Sequence, residues 1–420
     1  MLERLARFVN GRRWRVYYLA LGAVLLFGVA LPKALGPYDG LVDPFGTTLG
    51  ADFVAFYIGG QLMLERRGSE LYDFDAQLEV ERALSPQQTK GQSLFINPPP
   101  YAVFMAPFAA LPYPWALAAW WALALLLFFG SHRAVHRALG TPRGTRDALA
   151  SLLFLPALLV LVMGQNTFLS LALTTSAFLA LRARREGLAG VVLGLMIMKP
   201  QLALGFAVVL LVQRRWRAVV GAIAVASAFC GLAEVLAPGA WASYLGSLAE
   251  TSEMVRNAHG GVLFPAFLQV SVPGALALLF VPQPLALAAG LGLLGVVAWR
   301  WRKPAWEPGT APWDRELASA MTLGWLASPH LLLYDLGLLL LPGWIARARL
   351  GEHEGRPFGG RRFYALTLLA LVAAALWIPL FSVWLWDTLG ELDRPRVIPQ
   401  LVTVVLVAWA LALGRRAAIH

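Results

Sequence analysis

The stretch GLAGVVLGLMIMKPQLALGFAVVLLV, residues 187–212, is apolar throughout except for a Lys-Pro-Gln interruption near its middle. Arginine clusters flank it on both sides, at residues 182–185 and 214–217. Because basic clusters favour the cytoplasmic side of a membrane, two neighbouring clusters must be joined by an even number of crossings. The sequence therefore predicts a helical hairpin that turns at Lys199 and Pro200.

The two halves of this hairpin are short. About 12 helical residues reach only about 18 Å, whereas the hydrocarbon core of a bilayer is roughly 30 Å thick. The break is therefore expected within the outer half of the membrane, where irregular backbone is tolerated only against protein or in a wet cavity. A lysine at this depth marks a functional site or an ion-pair partner.

The whole chain is similarly apolar. Of its 420 residues, 58% are hydrophobic and 14% are charged, and the mean hydropathy is +0.63. These values exclude soluble, disordered and fibrous classes. The apolar runs suffice for about twelve transmembrane helices, so residues 1–420 are predicted to form a single all-α polytopic membrane domain. The single cysteine, Cys230, excludes a disulfide framework.

Charge also orients the chain. The net charge of +11 comes from basic clusters between apolar runs, which indicates topology and not nucleic-acid binding. The clusters predict cytoplasmic loops at residues 131–147, 182–186, 213–217, 300–315 and 347–362. The first loop, residues 34–100, carries Asp52 and is long and acidic, so it is predicted to lie outside. Both termini are then inside.

Two further hairpins follow from the same reasoning. One hairpin is formed by residues 148–163 and 167–182, with its turn at residues 164–166. The other is formed by residues 316–328 and 331–347, with its turn at residues 328–330. The region 262–281 is interrupted by proline and is predicted to be partly re-entrant. Single spans are predicted at residues 16–31, 115–130, 217–237, 284–299, 363–383 and 397–414.

Polar side chains collect at the predicted outer ends of the hairpins, whereas the cytoplasmic loops offer little besides arginine. Asp52 suits a general base at the mouth of an outward cavity, and it equally suits an N-cap for the helix that follows. In that helix, one face is expected to lie along the outer surface and to consist of Phe53, Phe56, Tyr57 and Leu64.

Lys199 suits a contact to an anionic lipid phosphate, an ion pair with a structural carboxylate, or a position at the outer interface. His259 and His330 suit acid-base roles as well as ordinary interfacial positions. Their spacing supports no metal ligand set, so no metal site and no cofactor is predicted, and a divalent-metal requirement stays open. An interfacial aromatic belt is expected from Trp115, Trp120, Trp384 and Trp386.

Several short motifs carry a family resemblance. In chain order they are GADFVAFYIGG (50–60), LYD (71–73), FINPPP (95–100), GQNTFLSLAL (164–173), AGVVLGLMIMKPQLAL (189–204), RRWR (214–217), Asn257 and SPH (328–330). Their order resembles glycosyltransferase family 87, integral-membrane enzymes of the GT-C class. The similarity extends from about residue 45 to about residue 345.

The resemblance implies a polyprenyl-phosphate sugar donor, with mannose or arabinofuranose in characterised members, and a glycolipid or polysaccharide acceptor. Asp52 matches the family's proposed catalytic aspartate and would be the general base of an inverting displacement. Lys199 would stabilise the leaving phosphate. The other residues expected to bind the donor are Gln165, Asn166, Gln201 and His330. Acceptor-binding or supporting roles are expected for Tyr57, Tyr72, Asn97, Asn257, His259, Tyr334 and Asp335.

Two other classes of protein stay open. A secondary transporter or flippase of a lipid-linked sugar would also use broken helices and a buried lysine, although it predicts polar groups on both sides of the midplane. A non-catalytic scaffold for cell-envelope assembly is the second alternative. The excess of arginine over lysine, together with abundant alanine, indicates a GC-rich bacterial genome. The expected location is the bacterial cytoplasmic membrane, with the site facing the periplasm or exterior.

Overall fold

The computed structural model describes residues 36, 39–43, 46–88, 93–141, 144–256, 269–302, 306–350 and 397–415. Within these ranges the regular structure is helical, and extended pairing is limited to isolated bridges. The predicted spans at 16–31 and 363–383 lie outside the described residues, as do Asn257, His259 and part of the predicted re-entrant region.

The described α-helices are numbered in chain order. They are α1 (Phe53–Leu64), α2 (Phe74–Leu84), α3 (Pro99–Ala109), α4 (Tyr113–Ala138), α5 (Thr145–Leu152), α6 (Leu155–Val162), α7 (Thr167–Arg182), α8 (Glu186–Leu195), α9 (Leu204–Val212), α10 (Trp216–Leu236), α11 (Ala240–Arg256), α12 (Val272–Ala277), α13 (Gln283–Trp301), α14 (Ala311–Ala327), α15 (Leu340–Leu350) and α16 (Val397–Arg415). Short 3₁₀ segments at Gly68–Glu70, Met196–Met198, Pro200–Ala203 and Leu333–Leu339 connect some of them.

Three helices, α4, α10 and α13, are long and apolar enough to cross a membrane, and α5 with α6 adds a fourth if the pair is one broken span. Shorter apolar helices include α1, α7 and the two segments on either side of Lys199. The regular structure of the described residues is therefore helical, with helices long and apolar enough to cross a membrane, and the number of about twelve spans stays a prediction.

The hairpin around Lys199 returns to the place where it began. Arg215, at the N-terminus of α10, lies 2.6 Å from Glu186, at the N-terminus of α8, measured from Nη1 to Oε1. Helices α8 and α10 pack closely at Gly190, which has no side chain. A Cβ added there would come within 2.6 Å of the Ala218 carbonyl oxygen. The segment between residues 186 and 215 thus leaves one end of the molecule and comes back to it, as a hairpin requires.

The other two hairpins close at the same end. Asp314, in the first turn of α14, is 2.5 Å from Arg349 in α15 and 2.9 Å from Arg182 at the C-terminus of α7. Asp147, in the first turn of α5, is 3.2 Å from Arg347. The ends of both hairpins therefore meet, and basic clusters that were predicted to share one side of the membrane are neighbours.

Helix boundaries differ from the prediction at several points: α4 continues to Ala138, inside the predicted loop at 131–147, and α15 continues to Leu350, inside the predicted loop at 347–362. Residues 148–163 do not form one helix, because α5 ends at Leu152 and a new helix begins at Leu155 with Pro156 in its first turn. The predicted cytoplasmic loop at 300–315 is shorter than expected, because α14 begins at Ala311. Thr310 caps it by accepting a hydrogen bond from the Trp313 amide at 3.4 Å.

Candidate functional site

The turns of the three hairpins meet at one carboxylate, that of Asp335. Lys199 Nζ lies 2.8 Å from Asp335 Oδ1, and the Thr167 hydroxyl donates to the same oxygen at 3.3 Å. The second oxygen accepts a hydrogen bond from the Leu332 amide at 3.2 Å. Asp335 is buried, so this charged pair costs desolvation that only good geometry and additional hydrogen bonds offset. The three turns are therefore held together by one ion pair and its hydrogen bonds.

Asp52 occupies the N-cap position of α1, but its side chain makes no capping hydrogen bond. Its Oδ2 atom instead accepts a hydrogen bond from Gln165 Nε2 at 2.5 Å. The N-cap interpretation of this side chain is therefore wrong. Gln165 lies at the turn between α6 and α7, so Asp52 faces the same hairpin turns as Asp335.

The backbone around Asp52 is tightly constrained. Ala51 has φ 37°, in the left-handed region that residues with a side chain rarely adopt, and such strain collects at functional sites. The Asp52 amide donates to the Met163 carbonyl oxygen at 3.0 Å. Gly164 has φ 63°, and a Cβ there would come within 2.6 Å of the Phe53 Cβ. The turn at residues 50–52 thus packs backbone against backbone on the turn at 163–165.

Tyr334 is close enough to Asp52 and to Asp335 to interact electrostatically with both carboxylates. Its hydroxyl also lies near the Gln165 side chain. Lys199 Nζ is 5.6 Å from the centroid of the Tyr334 ring. We name this connected group the turn cluster; it consists of Asp52, Gln165, Lys199, Tyr334 and Asp335. It contains two hydrogen-bonded carboxylates, an amide, an ammonium group and a phenol.

Lys199 lies where the helix is interrupted. Its backbone has φ −147° and ψ 67°, between the 3₁₀ segments Met196–Met198 and Pro200–Ala203. Pro200 provides no amide donor and disfavours helical backbone for the residue before it. The Lys199 side chain is 14% exposed and is paired with Asp335. The ion-pair interpretation of Lys199 is confirmed, and its contact to a phosphate stays a prediction.

A small cavity adjoins the turn cluster. Its lining consists of Tyr101, Asn166, Leu169, Ser170, Leu173, Met196, Met198 and Lys199. The buried side chains of Tyr101 and Asn166 lie close to each other, but neither Tyr101 Oη nor Asn166 Oδ1 makes a hydrogen bond of normal geometry within the described part of the chain. Buried polar atoms of this kind call for a partner, and a ligand hydroxyl or a water would supply one. The remaining lining is mostly apolar and ends at the Lys199 ammonium group.

Two of the predicted donor-binding residues lie at the edge of the turns. Gln201 is half-buried in the 3₁₀ segment that follows Lys199. His330 is exposed just after α14, and its Nδ1 atom is 3.2 Å from Gln269 Nε2. Donor binding by Gln201 and His330 stays a prediction.

Three of the predicted supporting residues take part in hydrogen bonds within the first loop and its neighbours: Tyr57, Tyr72 and, through its backbone carbonyl, Asn97. Tyr57 Oη donates to the Leu111 carbonyl oxygen at 2.9 Å. Tyr72 donates to the backbone carbonyl of Asn97. These bonds tie α1 and the loop around it to the turns on either side of α3.

Helix α1 does not lie on the surface, so that prediction is wrong. All of its residues except Gln61 and Leu64 are buried. The reason is that the helix is apolar on every side and has two adjacent glycines. A Cβ on Gly59 would come within 2.4 Å of the Phe95 ring, and one on Gly60 within 2.8 Å of the Ala109 Cβ. Neighbouring segments therefore cover α1 and fix the position of Asp52.

Sequence reasoning missed several residues of the site. Thr167 follows the predicted turn directly, so its position in the chain was a usable signal. Trp120 was expected in an interfacial belt, but it is buried and its Nε1 atom donates to the Gly164 carbonyl oxygen at 2.9 Å. Tyr101 and Ser170 look like ordinary helix residues in the sequence, and only the packing brings them to the cavity.

Comparison with known proteins gives one match. The model of glycosyltransferase family 87 matches residues 95–329, which is more than half of the chain. The matched range includes Gln165, Asn166 and Lys199, and it begins after Asp52. No curated protein and no solved structure is significantly similar to the chain.

Proposed function

The protein belongs to glycosyltransferase family 87 and is a membrane glycosyltransferase, and from this premise we propose that it transfers a sugar from a polyprenyl-phosphate donor to a glycolipid or polysaccharide acceptor. The transfer inverts the anomeric carbon and takes place at the turn cluster. Membership of the family favours sugar transfer over transport of a lipid-linked sugar.

One observation carries the proposal: a carboxylate and an ammonium group belong to the same partly buried cluster. Asp52 is held by Gln165, and Lys199 is linked to it through Tyr334. A displacement at a sugar phosphate needs a base for the acceptor hydroxyl and a cation for the departing phosphate. The turn cluster contains one group of each kind.

The proposed step is a single displacement. The acceptor hydroxyl gives its proton to Asp52 while its oxygen forms a bond to the anomeric carbon of the donor sugar. The bond between that carbon and the phosphate oxygen breaks on the opposite face, and the electron pair leaves with polyprenyl phosphate. Lys199 stabilises the negative charge that develops on the leaving oxygen. Asp52 is thereby protonated and the linkage is inverted.

The pairing of Lys199 with Asp335 fits this role. Asp335 holds the ammonium group at the turn in the absence of donor, and a donor phosphate would bind beside it as a second anion. Asn166 and Tyr101, whose polar atoms lie at the cavity, are positioned to orient sugar hydroxyls. Leu169 and Leu173 give the same cavity an apolar wall, but it has room for little more than a water, so a sugar or prenyl chain would require the surrounding helices to separate.

The distribution of charge supports an outward-facing site. The turn cluster lies at the hairpin turns, whereas Arg182, Arg347 and Arg349 lie at the hairpin ends. Because basic ends favour the cytoplasm, the turns then face the exterior of the bacterial cytoplasmic membrane.

The proposal is tested by the glycolipid and polyprenyl-sugar profile of membranes that contain wild-type protein or Asp52→Asn. Expected is a sugar-bearing product with wild type only, and accumulation of its donor with the variant. Asp75→Asn serves as the matched control, because Asp75 is an exposed carboxylate in the same loop, and it should behave as wild type. Identical profiles for wild type and Asp52→Asn, at equal membrane insertion, would refute the role of Asp52.

A further inference from the structure

A second group of ligand-type side chains lies at the other end of α4. His132 and His136 are one helical turn apart near the C-terminus of this helix, and Asp147 approaches them from the first turn of α5. One ligand atom from each of the three residues lies within 4.8 Å of the other two. Both histidines are buried, with exposed fractions of 2% and 1%.

This group is separate from the turn cluster. Trp120, in the same helix, marks the turn end, because it donates to the carbonyl of Gly164. Twelve residues separate Trp120 from His132, which is about 18 Å along a continuous helix. Asp147 contacts Arg347, so the group lies at the end of the molecule where the hairpin ends meet.

We propose that His132, His136 and Asp147 bind one divalent transition-metal ion of the zinc class. Histidines at positions i and i+4 present their rings on one face of a helix, as in known zinc motifs. His132 Nε2 and Asp147 Oδ2 are 3.3 Å apart. Two ligands on a tetrahedral ion with bonds of about 2.0 Å are separated by about 3.3 Å, so this pair already has the required spacing.

The residues around the group suit a metal site. His136 Nδ1 is 3.2 Å from Thr141 Oγ1, and a hydrogen bond of this kind orients a ligating imidazole through its other nitrogen. The His132 ring packs perpendicular to Trp344, with 5.1 Å between the ring centroids. Asp147 uses its other oxygen, Oδ1, to contact Arg347. Outer contacts on all three ligands thus restrict their orientation.

The donor set also selects the class of ion. Two imidazoles and one carboxylate suit zinc and similar divalent transition metals better than calcium or magnesium, which prefer oxygen ligands alone. Three protein ligands leave a fourth position for water. The ion would join the C-terminus of α4 to the N-terminus of α5, and through Asp147 and Arg347 to α15. Its role is to fix these helices, so the proposal does not depend on the sugar-transfer mechanism.

The test uses full-length protein in detergent, purified without a polyhistidine tag and stripped with a chelator. Cobalt(II) is added as a spectroscopic probe and zinc(II) as its competitor. Expected are the visible absorption bands of four-coordinate cobalt, saturation at one ion per chain, loss of the bands on adding zinc, and a higher unfolding temperature with either ion. If wild-type protein does not bind cobalt saturably, the proposal is overturned, and no variant is needed to reach that conclusion.

Variants locate the site. His136→Gln and Asp147→Asn should each weaken cobalt binding by at least about 10-fold. His330→Gln removes a histidine at the other end of the molecule and should leave binding unchanged. Equal binding by wild type and His136→Gln, or loss of binding in His330→Gln alone, would overturn the assignment. The unfolding temperature of each metal-free variant shows whether that variant is folded. If a variant is not folded, the cobalt titration of wild-type protein alone decides whether the metal site exists.

Discussion

Two clusters of charged side chains lie at opposite ends of the same hairpins, and they are built differently. At the hairpin ends, the carboxylate of Asp314 is fully buried between two guanidinium groups. Arg182 Nε contacts one of its oxygens at 2.9 Å, and Arg349 contacts the other through Nε at 2.8 Å and Nη2 at 2.5 Å. Glu316, two residues further along α14, forms a separate buried pair with Arg300. We name these five residues the arginine cluster.

The turn cluster has no arginine. It has one ammonium group, an amide, a phenol and two carboxylates, and it borders a cavity. Arginine offers a rigid planar fork that suits a permanent pair with a carboxylate, whereas lysine carries a compact charge on a flexible stem that can change partner. This difference supports our proposal that the arginine cluster is structural and that the turn cluster, which also joins the hairpin turns, binds a substrate.

The largest effect is expected from Asp314→Asn. This change leaves the charges of Arg182 and Arg349 buried without their carboxylate, and breaking a buried pair in this way costs about 3–5 kcal/mol of stability. The yield of monodisperse protein and its unfolding temperature in detergent measure the loss. Glu307→Gln is the matched control, because Glu307 pairs with Arg184 at an exposed position, where a pair contributes about 0–1 kcal/mol. Equal losses of yield and unfolding temperature in the two variants would contradict a structural role for the arginine cluster.

Lys199→Gln is expected to reduce turnover by about 10²–10³-fold, the size of effect seen when one preorganised group at a developing negative charge is removed. The loss should appear in the dependence of the rate on donor concentration more than on acceptor concentration. Lys199→Arg keeps the charge and should retain part of the activity. An unchanged donor dependence in Lys199→Gln would assign the lysine to packing alone.

A smaller effect is expected from Gln165→Leu, about 10-fold on turnover. The change removes the donor that orients Asp52, while leucine is close in volume to glutamine, so the stability should change little. The measurement is the rate per folded molecule. A loss of folded protein without a loss of rate would place Gln165 among the residues that support the fold.

The hairpins and the separation of polar turns from basic ends were predictable, because both follow from apolar length and the positions of arginine. The partners were not. Lys199 and Asp335 are 136 positions apart, and nothing in a single sequence indicates their contact. Asp314 lies within a predicted basic loop, where its role as the central carboxylate of the arginine cluster is hidden. His132 and Asp147 come together only through the turn between α4 and α5.

The smallest effect concerns Glu81 in α2, a buried carboxylate outside both clusters. Burial raises the pKa of this carboxyl group above its ordinary value of 4.5, although the Ser93 amide donates to it at 3.3 Å. The folded state therefore binds the proton more tightly than the unfolded state, and Glu81 reduces stability as the pH rises from below 4.5 through the raised pKa. Glu81→Gln should flatten this fall and slightly raise the unfolding temperature at neutral pH. An unchanged pH dependence would contradict this cause.

The central claim is that Asp52 performs chemistry and does not hold the fold. Its most direct test measures sugar transfer and the unfolding temperature on the same purified preparation of Asp52→Asn, beside wild type. The expected result is a loss of turnover of about 10²–10⁴-fold with an unfolding midpoint within about 3 °C of wild type. Turnover equal to wild type, or a fall in the midpoint as large as that of Asp314→Asn, would contradict it.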